Sequence, residues 1–487
     1  MSLMTQDNLI FGADLQKPLD LVLVNSPLKN YDITPRFNDF TLPVLGLAYI
    51  ATYAASQGYN VGVLDAEALE LGISNIISTV HRYMPRWLGL NLLAPTYDLS
   101  REILQHVDAG IHIMLGGHQA KAMPERILND SRIPRIDAMV LGEGEYRVAA
   151  LLEDVHRRNI LPHVWWREHH TIHQGIPRND DQTTWLAPDI NTLPFVHRAY
   201  LPQDPFLSHG GMIEANMVGS RGCPYNCSFC GAAISANADI SIRTRDPRNI
   251  VEEMEEVFQR YGVTAFRFVD DLFLASPSFM KRCLHLFVTH GIGNKFVWDA
   301  TGRINILSRV PDSLLDLMKE AGCREIALGI ESGSERMLGY IDKRIAPDMI
   351  RTAVRRVTSH GIHIKGYFIL GFPTETQADI NATENIIYDL WNISDQEPGT
   401  FRCSVFEFRP YPGTPEWHRL MTTGKYTEEQ LLNYAPVDLT ENGTIAAMLE
   451  RDEFNFSVNL QFGEVPIARV REVLTRITSQ QKQRLQP

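Results

Sequence analysis

Short apolar runs alternate with helical patterns over residues 19–158. The apolar runs read LDLVLVN, NVGVLDA, WLGLNLL, IHIMLGG and IDAMVLG. Each run precedes a stretch such as ISNIISTVHRYM, in which apolar residues recur every three or four positions. Five short strands joined by helices predict a parallel sheet that is covered on both faces. We therefore expect residues 19–160 to form a doubly wound, Rossmann-like domain behind an N-terminal tail of residues 1–18.

A second alternation begins near residue 211 and predicts six further units of strand and helix. The strand candidates read GMIEANMVGS, AFRFVDD, FVWDATGRIN, EIALGIESGS, IHIKGYFILGF and FRCSVFEFRPYPGT. Helical patterns such as RNIVEEMEEVFQRYG separate them and close on glycine, which commonly ends a helix. We expect a partial (β/α)6 barrel over residues 211–415, with chemistry at the carboxyl ends of its strands. The predicted fold class is α/β in both parts.

Two segments depart from this alternation. Residues 161–210 are rich in Pro, Trp and His and predict a linker with one hairpin. Residues 416–487 predict a small, mostly helical C-terminal region with one strand-like stretch, FNFSVNLQF. We assign no chemistry to either segment.

Composition and charge exclude several classes of function. The 487 residues are 44% hydrophobic and 21% charged, which is ordinary for a globular protein. The formal net charge of -12 argues against a nucleic-acid scaffold, which needs a basic face, and favours a neutral or cationic small substrate. No apolar run approaches the roughly 18 residues of a membrane span, and the start MSLMTQDNLI does not resemble a signal peptide. We therefore expect a cytoplasmic protein that binds neither nucleic acid nor membrane.

Three of the six cysteines crowd into one turn-prone segment, GSRGCPYNCSFCGAA. Thiolates are the usual ligands of iron-sulfur clusters, so Cys223, Cys227 and Cys230 can hold three irons of a four-iron cluster and leave the fourth open. Zinc is the competing metal, but a closed structural zinc site needs four ligands and no fourth Cys or His follows at suitable spacing. Three unligated thiols in such a loop would be exposed to oxidation. We interpret the segment as a metal centre.

The Cys-x3-Cys-x2-Cys spacing at the end of the first barrel strand, with Phe229 between the last two cysteines, resembles the radical S-adenosylmethionine superfamily. That resemblance implies a [4Fe-4S] cluster whose open iron binds S-adenosylmethionine and whose electron cleaves it to a 5'-deoxyadenosyl radical. It also implies an external electron donor such as flavodoxin or ferredoxin, and a small-molecule substrate.

Further positions of the barrel match the family's cofactor site. The resemblance assigns the acidic pair of FVDD to the methionyl amino group, the charged and hydroxyl residues of TGRIN, GIESGS and YIDKRI to the ribose and carboxylate, and the turn of GFPTET to the adenine. The residues concerned are Phe229, Asp270, Asp271, Arg303, Glu331, Ser332, Lys343, Gly371, Phe372 and Pro373. Each of the charged residues could instead be a solvated charge or a member of a structural ion pair, with no contact to the cofactor.

The N-terminal motifs LPVLGLAYIATYAASQGY, APTY, GGH and VLGEGE are similar to those of the radical enzymes that carry a cobalamin-binding domain, and the resemblance covers about residues 19–415. It implies that the turns after the strands line the corrin and its nucleotide tail. The positions are Pro27, Thr96, Tyr97, Gly116, Gly117, Gly142, Glu143 and Gly144. The Asp-x-His-x-x-Gly string of proteins that supply a histidine to the cobalt does not occur, so the sequence leaves cobalamin binding open.

Two mechanisms and one noncatalytic function follow from these resemblances. In the leading hypothesis the radical takes hydrogen from a carbon of a natural-product intermediate, and methylcobalamin delivers a methyl group to that carbon. The alternative is cobalamin-independent dehydration, epimerisation or rearrangement of a diol or amino sugar, with Glu407, Tyr367 and His209 as candidates for the general acid or base. The third class is a noncatalytic binding protein that uses the cluster structurally or as a redox sensor. A structural cluster normally takes four protein ligands, and the three cysteines found here argue against this class.

Overall fold

The computed structural model describes residues 9–34, 43–177, 182–207, 211–237, 242–436 and 456–485. The chain divides into two compact units, with the first reaching Asp204 and the second beginning at Pro205. Each unit is built on one seven-stranded sheet. Among the helices of the described segments, none combines the length and the apolar character that a membrane crossing requires.

The first unit consists of one sheet and the helices that connect its strands. The strands are β1 Leu21–Asn25, β2 Val61–Asp65, β3 Trp87–Asn91, β4 His112–Gly116, β5 Ile136–Val140, β6 Val164–Glu168 and β7 Thr171–Gln174. The α-helices are α1 Leu45–Ser56, α2 Ile73–Tyr83, α3 Tyr97–Gln105, α4 His118–Ala122, α5 Pro124–Asn129, α6 Glu145–Glu153 and α7 Gln182–Leu186. Short 3-10 turns cover Ala94–Thr96, Val155–Asn159 and Arg198–Tyr200.

The strand order of this sheet is β2-β1-β3-β4-β5-β6-β7, and its first five strands run parallel. The prediction of a doubly wound parallel sheet is confirmed. Every residue of β2 is buried, as is typical of a strand covered on both faces. The order reverses between β1 and β3, and such a switch point opens a crevice at the carboxyl ends of the strands. The hairpin β6–β7 continues the sheet in antiparallel pairing beyond β5.

The second unit contains a larger sheet, two small ribbons and the remaining helices. The strands are β8 Phe206–Leu207, β9 Ile213–Met217, β10 Ser220–Arg221, β11 Arg243–Thr244, β12 Ala265–Phe268, β13 Val297–Gly302, β14 Cys323–Glu331, β15 His363–Leu370, β16 Phe401–Glu407, β17 Ala435–Pro436 and β18 Phe456–Ser457. The helices are α8 Pro247–Tyr261, α9 Pro277–Thr289, α10 Ile292–Lys295, α11 Ile304–Leu307, α12 Asp312–Glu320, α13 Glu335–Tyr340, α14 Pro347–Ser359, α15 Gln377–Ser394, α16 Pro415–Thr422, α17 Glu428–Leu431 and α18 Ile467–Leu485, with a 3-10 turn at Ile234–Ala236.

Six parallel strands in the order β16-β15-β14-β13-β12-β9 form the large sheet, and β8 adds one antiparallel edge. The predicted partial barrel of six strand and helix units is confirmed. Alternate residues of a strand point to opposite faces. In β15, Ile364, Phe368 and Leu370 belong to the apolar core, whereas Lys365 and Tyr367 lie on the opposite face. The helix-facing side is therefore apolar and the other side carries polar groups.

The C-terminal region is mostly helical, as predicted, and α18 packs against β16. Within the described part of the stretch FNFSVNLQF, Phe456–Ser457 forms a strand, which pairs with Ala435–Pro436. Asn459 has a positive φ of 55°, a left-handed conformation that ends the extended backbone. Gln481 of α18 accepts hydrogen bonds from the Trp391 indole at 3.1 Å and from the Cys403 backbone at 2.8 Å. These bonds fasten α18 to the barrel.

Candidate cofactor site

The three clustered cysteines lie on a loop between β10 and β11, directly after the first parallel strand of the barrel. Gly222 has a positive φ of 85°, which turns the chain sharply ahead of Cys223. Cys227 is buried, while Cys223 and Cys230 are half-buried. The Cys230 N–H donates to the Cys227 carbonyl at 3.1 Å, so the loop coils tightly between these two thiols. The loop gathers the cysteines at the carboxyl edge of the sheet.

Burial and nearby cations act in opposite directions on these thiols. Burial raises the pKa of Cys223 and raises that of Cys230 to about 12. The positive charge of Arg303 lowers the pKa of Cys223, and that of Lys343 lowers the pKa of Cys230. Iron binds the thiolate, so these cations favour the form that a cluster requires. Within the described ranges, no three Cys, His, Asp or Glu side chains surround a point where a single metal ion could bind.

Arg303 connects the cysteine loop to the strand that precedes α11. Its Nη1 lies 3.6 Å from the Cys227 sulfur, and its Nη2 donates to the Lys343 carbonyl at 2.5 Å. The guanidinium lies 3.4 Å from the centroid of the Tyr225 ring, a cation–π contact. Its Nε is buried and has no acceptor among the described residues. A buried donor without an acceptor, beside three thiols, fits an anionic cluster and an anionic ligand group.

A buried ion pair joins the end of β14 to the segment after α13. Lys343 Nζ donates to Glu331 Oε1 at 2.7 Å, and both residues are only 6% exposed. Glu331 has a positive φ of 69°, at a point where the register between β14 and β15 shifts. Backbone strain of this kind is held by its surroundings and is common at functional sites. A Cβ added at Gly329 would lie 2.3 Å from Glu331 Oε1 and 2.6 Å from Lys343 Nζ, so this pair depends on a glycine there.

The two aspartates after β12 lie in different surroundings, since Asp270 is buried and Asp271 is exposed. Asp270 accepts the Gly219 N–H at 3.0 Å and the Ser220 hydroxyl at 2.6 Å, and burial raises its pKa to about 6. It thereby fixes the backbone just ahead of the cysteines. Asp271 is exposed, and its charge raises the pKa of Cys223, which places it near that thiol.

Ser332 is fully buried and bonds within the protein. Its hydroxyl lies 3.0 Å from the Thr383 hydroxyl, and it accepts the Ser334 N–H at 3.1 Å. The side chain thus shapes the turn that follows Glu331. Its role as a cofactor contact stays a prediction.

The predicted adenine turn, Gly371 to Pro373, is braced by a carboxyl group that the sequence interpretation missed. Gly371 has a positive φ of 89°, and its N–H donates to Glu375 Oε2 at 2.5 Å. Phe372 contacts the Phe229 ring of the cysteine loop, with centroids 5.5 Å apart. Glu375 Oε1 is buried without a donor among the described residues, and burial raises the pKa of Glu375 to about 8. The sequence signal for this contact was the position of Glu375, four residues after Gly371 in GFPTET, with no Lys or Arg between them.

Two of the three residues proposed for the alternative chemistry lie within the described structure. Glu407 accepts Arg471 Nε at 2.9 Å and also bonds the Ser457 hydroxyl. Tyr367 lies on the polar face of β15, with Lys365 Nζ 5.1 Å from its ring centroid. His209 lies outside the described residues.

In the first unit, the turns predicted to contact cobalamin follow β1, β3, β4 and β5 at the carboxyl edge of the sheet. They contain Pro27, Thr96, Gly116, Gly117, Gly142, Glu143 and Gly144. Gly117 has a positive φ of 93°, and an added Cβ would lie 2.3 Å from Asn91 Oδ1. Gly144 would bring a Cβ within 2.9 Å of the Ile50 side chain. Gly117 therefore needs glycine, whereas at Gly144 the end of the Ile50 side chain would have to shift.

Two polar groups complete the description of this edge. Tyr97 donates its hydroxyl to Asp130 at 3.0 Å, and burial together with that carboxylate raises its pKa. Gln119, which the sequence interpretation missed, is 2% exposed, and its Oε1 has no donor among the described residues. A buried amide oxygen without a donor can accept a hydrogen bond from a ligand. The Gln119 oxygen and the tight Gly117 turn at this edge fit a corrin with amide side chains, which can donate to that oxygen.

Two protein-family models match the chain, one in each unit. The radical SAM superfamily model matches residues 217–387, and the B12 binding domain model matches residues 39–152. The first match includes the three clustered cysteines and the ends of β12 to β15. The second includes the turns after β3, β4 and β5.

Curated relatives and solved structures extend over most of the chain. An uncharacterised methyltransferase of Pyrococcus horikoshii is 26% identical over 430 residues, which are 87% of each chain. The anaerobic magnesium-protoporphyrin IX monomethyl ester cyclase of Rubrivivax gelatinosus is 25% identical over 396 residues, 76% of this chain and 68% of that protein. The fold is similar to the radical S-adenosylmethionine methyltransferase TsrM from Kitasatospora setae, solved with cobalamin and a [4Fe-4S] cluster, with a TM-score of 0.64, 17% identity and coverage of 83% and 75% of the two chains.

Replacing Glu375 with glutamine tests the raised carboxyl pKa at the adenine turn. A carboxyl whose folded pKa is raised to about 8 contributes stability below its usual pKa and loses it as the pH rises through about 8. Between about pH 5 and about pH 9, the melting temperature of E375Q should therefore rise relative to the unaltered protein by about 2 °C or more. Glu384 is the matched control, because Arg476 lowers its pKa, and E384Q should show no such relative gain. A constant difference between E375Q and the unaltered protein across this range would contradict the assignment.

Replacing Gly329 with alanine tests the Glu331–Lys343 pair. The new methyl group would displace the ends of both side chains and separate the pair, so the melting temperature should fall because two charges are left buried without each other. We expect the affinity for S-adenosylmethionine, measured by titration of the cluster-loaded protein, to fall about tenfold, equivalent to roughly 1.4 kcal/mol. Gly339 has open space at its Cβ position, so G339A is the control and should bind normally. Equal affinities in the two variants would exclude a role of the pair in binding.

Proposed function

Because the chain belongs to the radical SAM superfamily and carries an N-terminal B12-binding domain, we propose that it is a cobalamin-dependent enzyme that methylates a carbon atom of a small-molecule, natural-product substrate. The observation that carries the proposal is the loop of Cys223, Cys227 and Cys230, with Arg303 directed at its central thiol, in a chain that also has a glycine turn suited to a corrin. The methyltransferase of Pyrococcus horikoshii, similar over 87% of each chain, supports methyl transfer.

When bound, a [4Fe-4S] cluster with S-adenosylmethionine would supply the radical chemistry that activates the substrate carbon, and cobalamin would supply the methyl group. The chain's own residues hold and orient these groups. Cys223, Cys227 and Cys230 bind the cluster as thiolates, and Arg303 donates hydrogen bonds beside Cys227. Asp270 keeps the preceding backbone in place through Gly219 and Ser220.

The Glu331–Lys343 pair and the Gly371 turn hold S-adenosylmethionine in this proposal. Lys343 provides a buried cation for its carboxylate, and Glu331 provides an acceptor for a ribose hydroxyl or the amino group. The Gly371 turn offers bare backbone to the adenine, and Phe372 fixes the turn against the cysteine loop. Asp271, exposed near Cys223, is the proposed contact of the methionyl amino group.

Methyl transfer is favoured over cobalamin-independent elimination or rearrangement by the environment of Glu407. A general acid or base must reach the leaving group, but the Glu407 carboxylate is engaged by Arg471 and Ser457. The polar face of the barrel, which includes Tyr367, is the proposed surface for the substrate. A flavodoxin or ferredoxin is the proposed electron donor to the cluster.

The visible spectrum and cofactor content of anaerobically purified protein test the proposal directly. Protein produced with cobalamin supply and a reconstituted cluster should contain about one corrin per chain beside the iron-sulfur absorbance. With a reductant and S-adenosylmethionine, it should form deoxyadenosine. A cluster without corrin would favour elimination or rearrangement, and a cluster that never cleaves S-adenosylmethionine would make the protein a sensor.

Alanine substitutions of the cysteines test the cluster ligands. C223A, C227A and C230A should each lose most of the bound iron and sulfide and all deoxyadenosine formation, because three thiolates are the only protein ligands proposed. Cys283 is a buried thiol in the apolar core, so C283A should keep its cluster and serves as the control. Retention of full iron content in any of the three loop variants would remove that cysteine from the ligand set.

A further inference from the structure

Ser228, which lies between the second and third loop cysteines, is bonded through all of its polar atoms. Its N–H donates to the Ile341 carbonyl at 3.0 Å, and its carbonyl accepts the Glu416 N–H at 2.8 Å. Its hydroxyl donates to Glu416 Oε2 at 3.1 Å. The segment from Cys227 to Cys230 is therefore attached through one residue to two distant parts of the chain.

Glu416 lies in the first turn of α16 and is fully buried. Besides Ser228, its carboxylate accepts the Tyr340 hydroxyl at 2.7 Å and Arg419 Nη1 at 2.9 Å. Tyr340 directly precedes Ile341, so both attachments of Ser228 meet at the end of α13. We call Glu416 with Ser228, Tyr340 and Arg419 the Glu416 network.

The Glu416 carboxylate strengthens the hydrogen bonds of the network. Hydrogen bonds to an ionised carboxylate are stronger than neutral ones, and removing one partner of a buried charge is costly. Arg419 supplies the compensating charge from a side chain that is 46% exposed, and its guanidinium lies 4.7 Å from the Tyr340 ring centroid. Burial and the Glu416 carboxylate together raise the pKa of Tyr340 to about 12, so its hydroxyl stays a donor at neutral pH.

We propose that Glu416 is a positioning residue for the iron-sulfur cluster: through Ser228 it sets the relative placement of Cys227 and Cys230, and with it the retention and electronic environment of the cluster. The inference rests on the proposed function, because it requires that these cysteines bind a cluster. It also gives the C-terminal region a role in the site. Glu416 touches neither substrate nor cofactor in this proposal and acts only through the loop.

The test compares E416Q with E384Q in the full chain, each with a reconstituted cluster. The two glutamates are chemically matched, since Glu384 also accepts a tyrosine hydroxyl, from Tyr388 at 3.0 Å, and an arginine, from Arg476 at 2.7 Å. Glu384, however, joins α15 to α18 and does not contact the cysteine loop. Both substitutions should lower the melting temperature, so thermal stability alone does not distinguish them.

The distinguishing measurements are iron release to a chelator and the electron paramagnetic resonance spectrum of the reduced cluster. We expect E416Q to release iron about tenfold faster than the unaltered protein, equivalent to roughly 1.4 kcal/mol, and to show an altered cluster spectrum. E384Q should match the unaltered protein in both. If E416Q matches it as well, the proposal is wrong.

S228A provides a second variant in case E416Q does not fold. It removes one hydroxyl and leaves Glu416 with Tyr340 and Arg419, so iron release should be about threefold faster, a smaller effect in the same direction. Unchanged release and spectrum in S228A, with E416Q unfolded, would also overturn the proposal. Unaltered protein that takes up no cluster would instead overturn the proposed function itself, and this inference with it.

Discussion

Ionisation of buried thiols is the constraint on which the second unit depends. Cysteines bind iron as thiolates, yet burial raises the pKa of Cys230 to about 12. Lys343 opposes that effect at Cys230 and Arg303 opposes the corresponding effect at Cys223, and each cation needs a partner of its own to remain buried. Lys343 has Glu331, whose backbone is held in a left-handed conformation, while Arg303 lies on the Tyr225 ring. The strained strand end and the ring contact are thus consequences of placing charge beside the cluster loop.

The topology of the sheet brings the charged groups to the cysteine loop. Parallel strands bring their carboxyl ends to a single edge, so loops from distant parts of the sequence meet there. Asp270 follows β12, Arg303 follows β13 and Glu331 ends β14. All three residues therefore stand at the edge of the sheet where the cysteine loop lies. The apolar core beneath them supplies rigidity without competing polar groups.

The sequence was sufficient to predict both parallel sheets and the cysteine loop, because hydrophobic periodicity and cysteine spacing are local signals. The sequence did not show which partners the individual carboxylates would bond. Glu407 pairs with Arg471, which lies 64 residues later, and Glu416 bonds Ser228 across 188 residues. No local pattern records such pairs. The stretch FNFSVNLQF has the alternation of a strand, but the left-handed Asn459 ends it early.

The anchors of the cysteine loop have a consequence for how the protein is made. A ribosome adds residues from the N-terminus onward, so Cys223 to Cys230 leave the exit tunnel well before Ile341 and Glu416, which bind Ser228. Until synthesis has passed residue 416, the loop lacks its bonds to Glu416, even where the bond to Ile341 has formed. If Glu416 positions the loop as proposed, a chain interrupted between the barrel and α16 would carry all three cysteines and hold iron less firmly than a chain that includes Glu416.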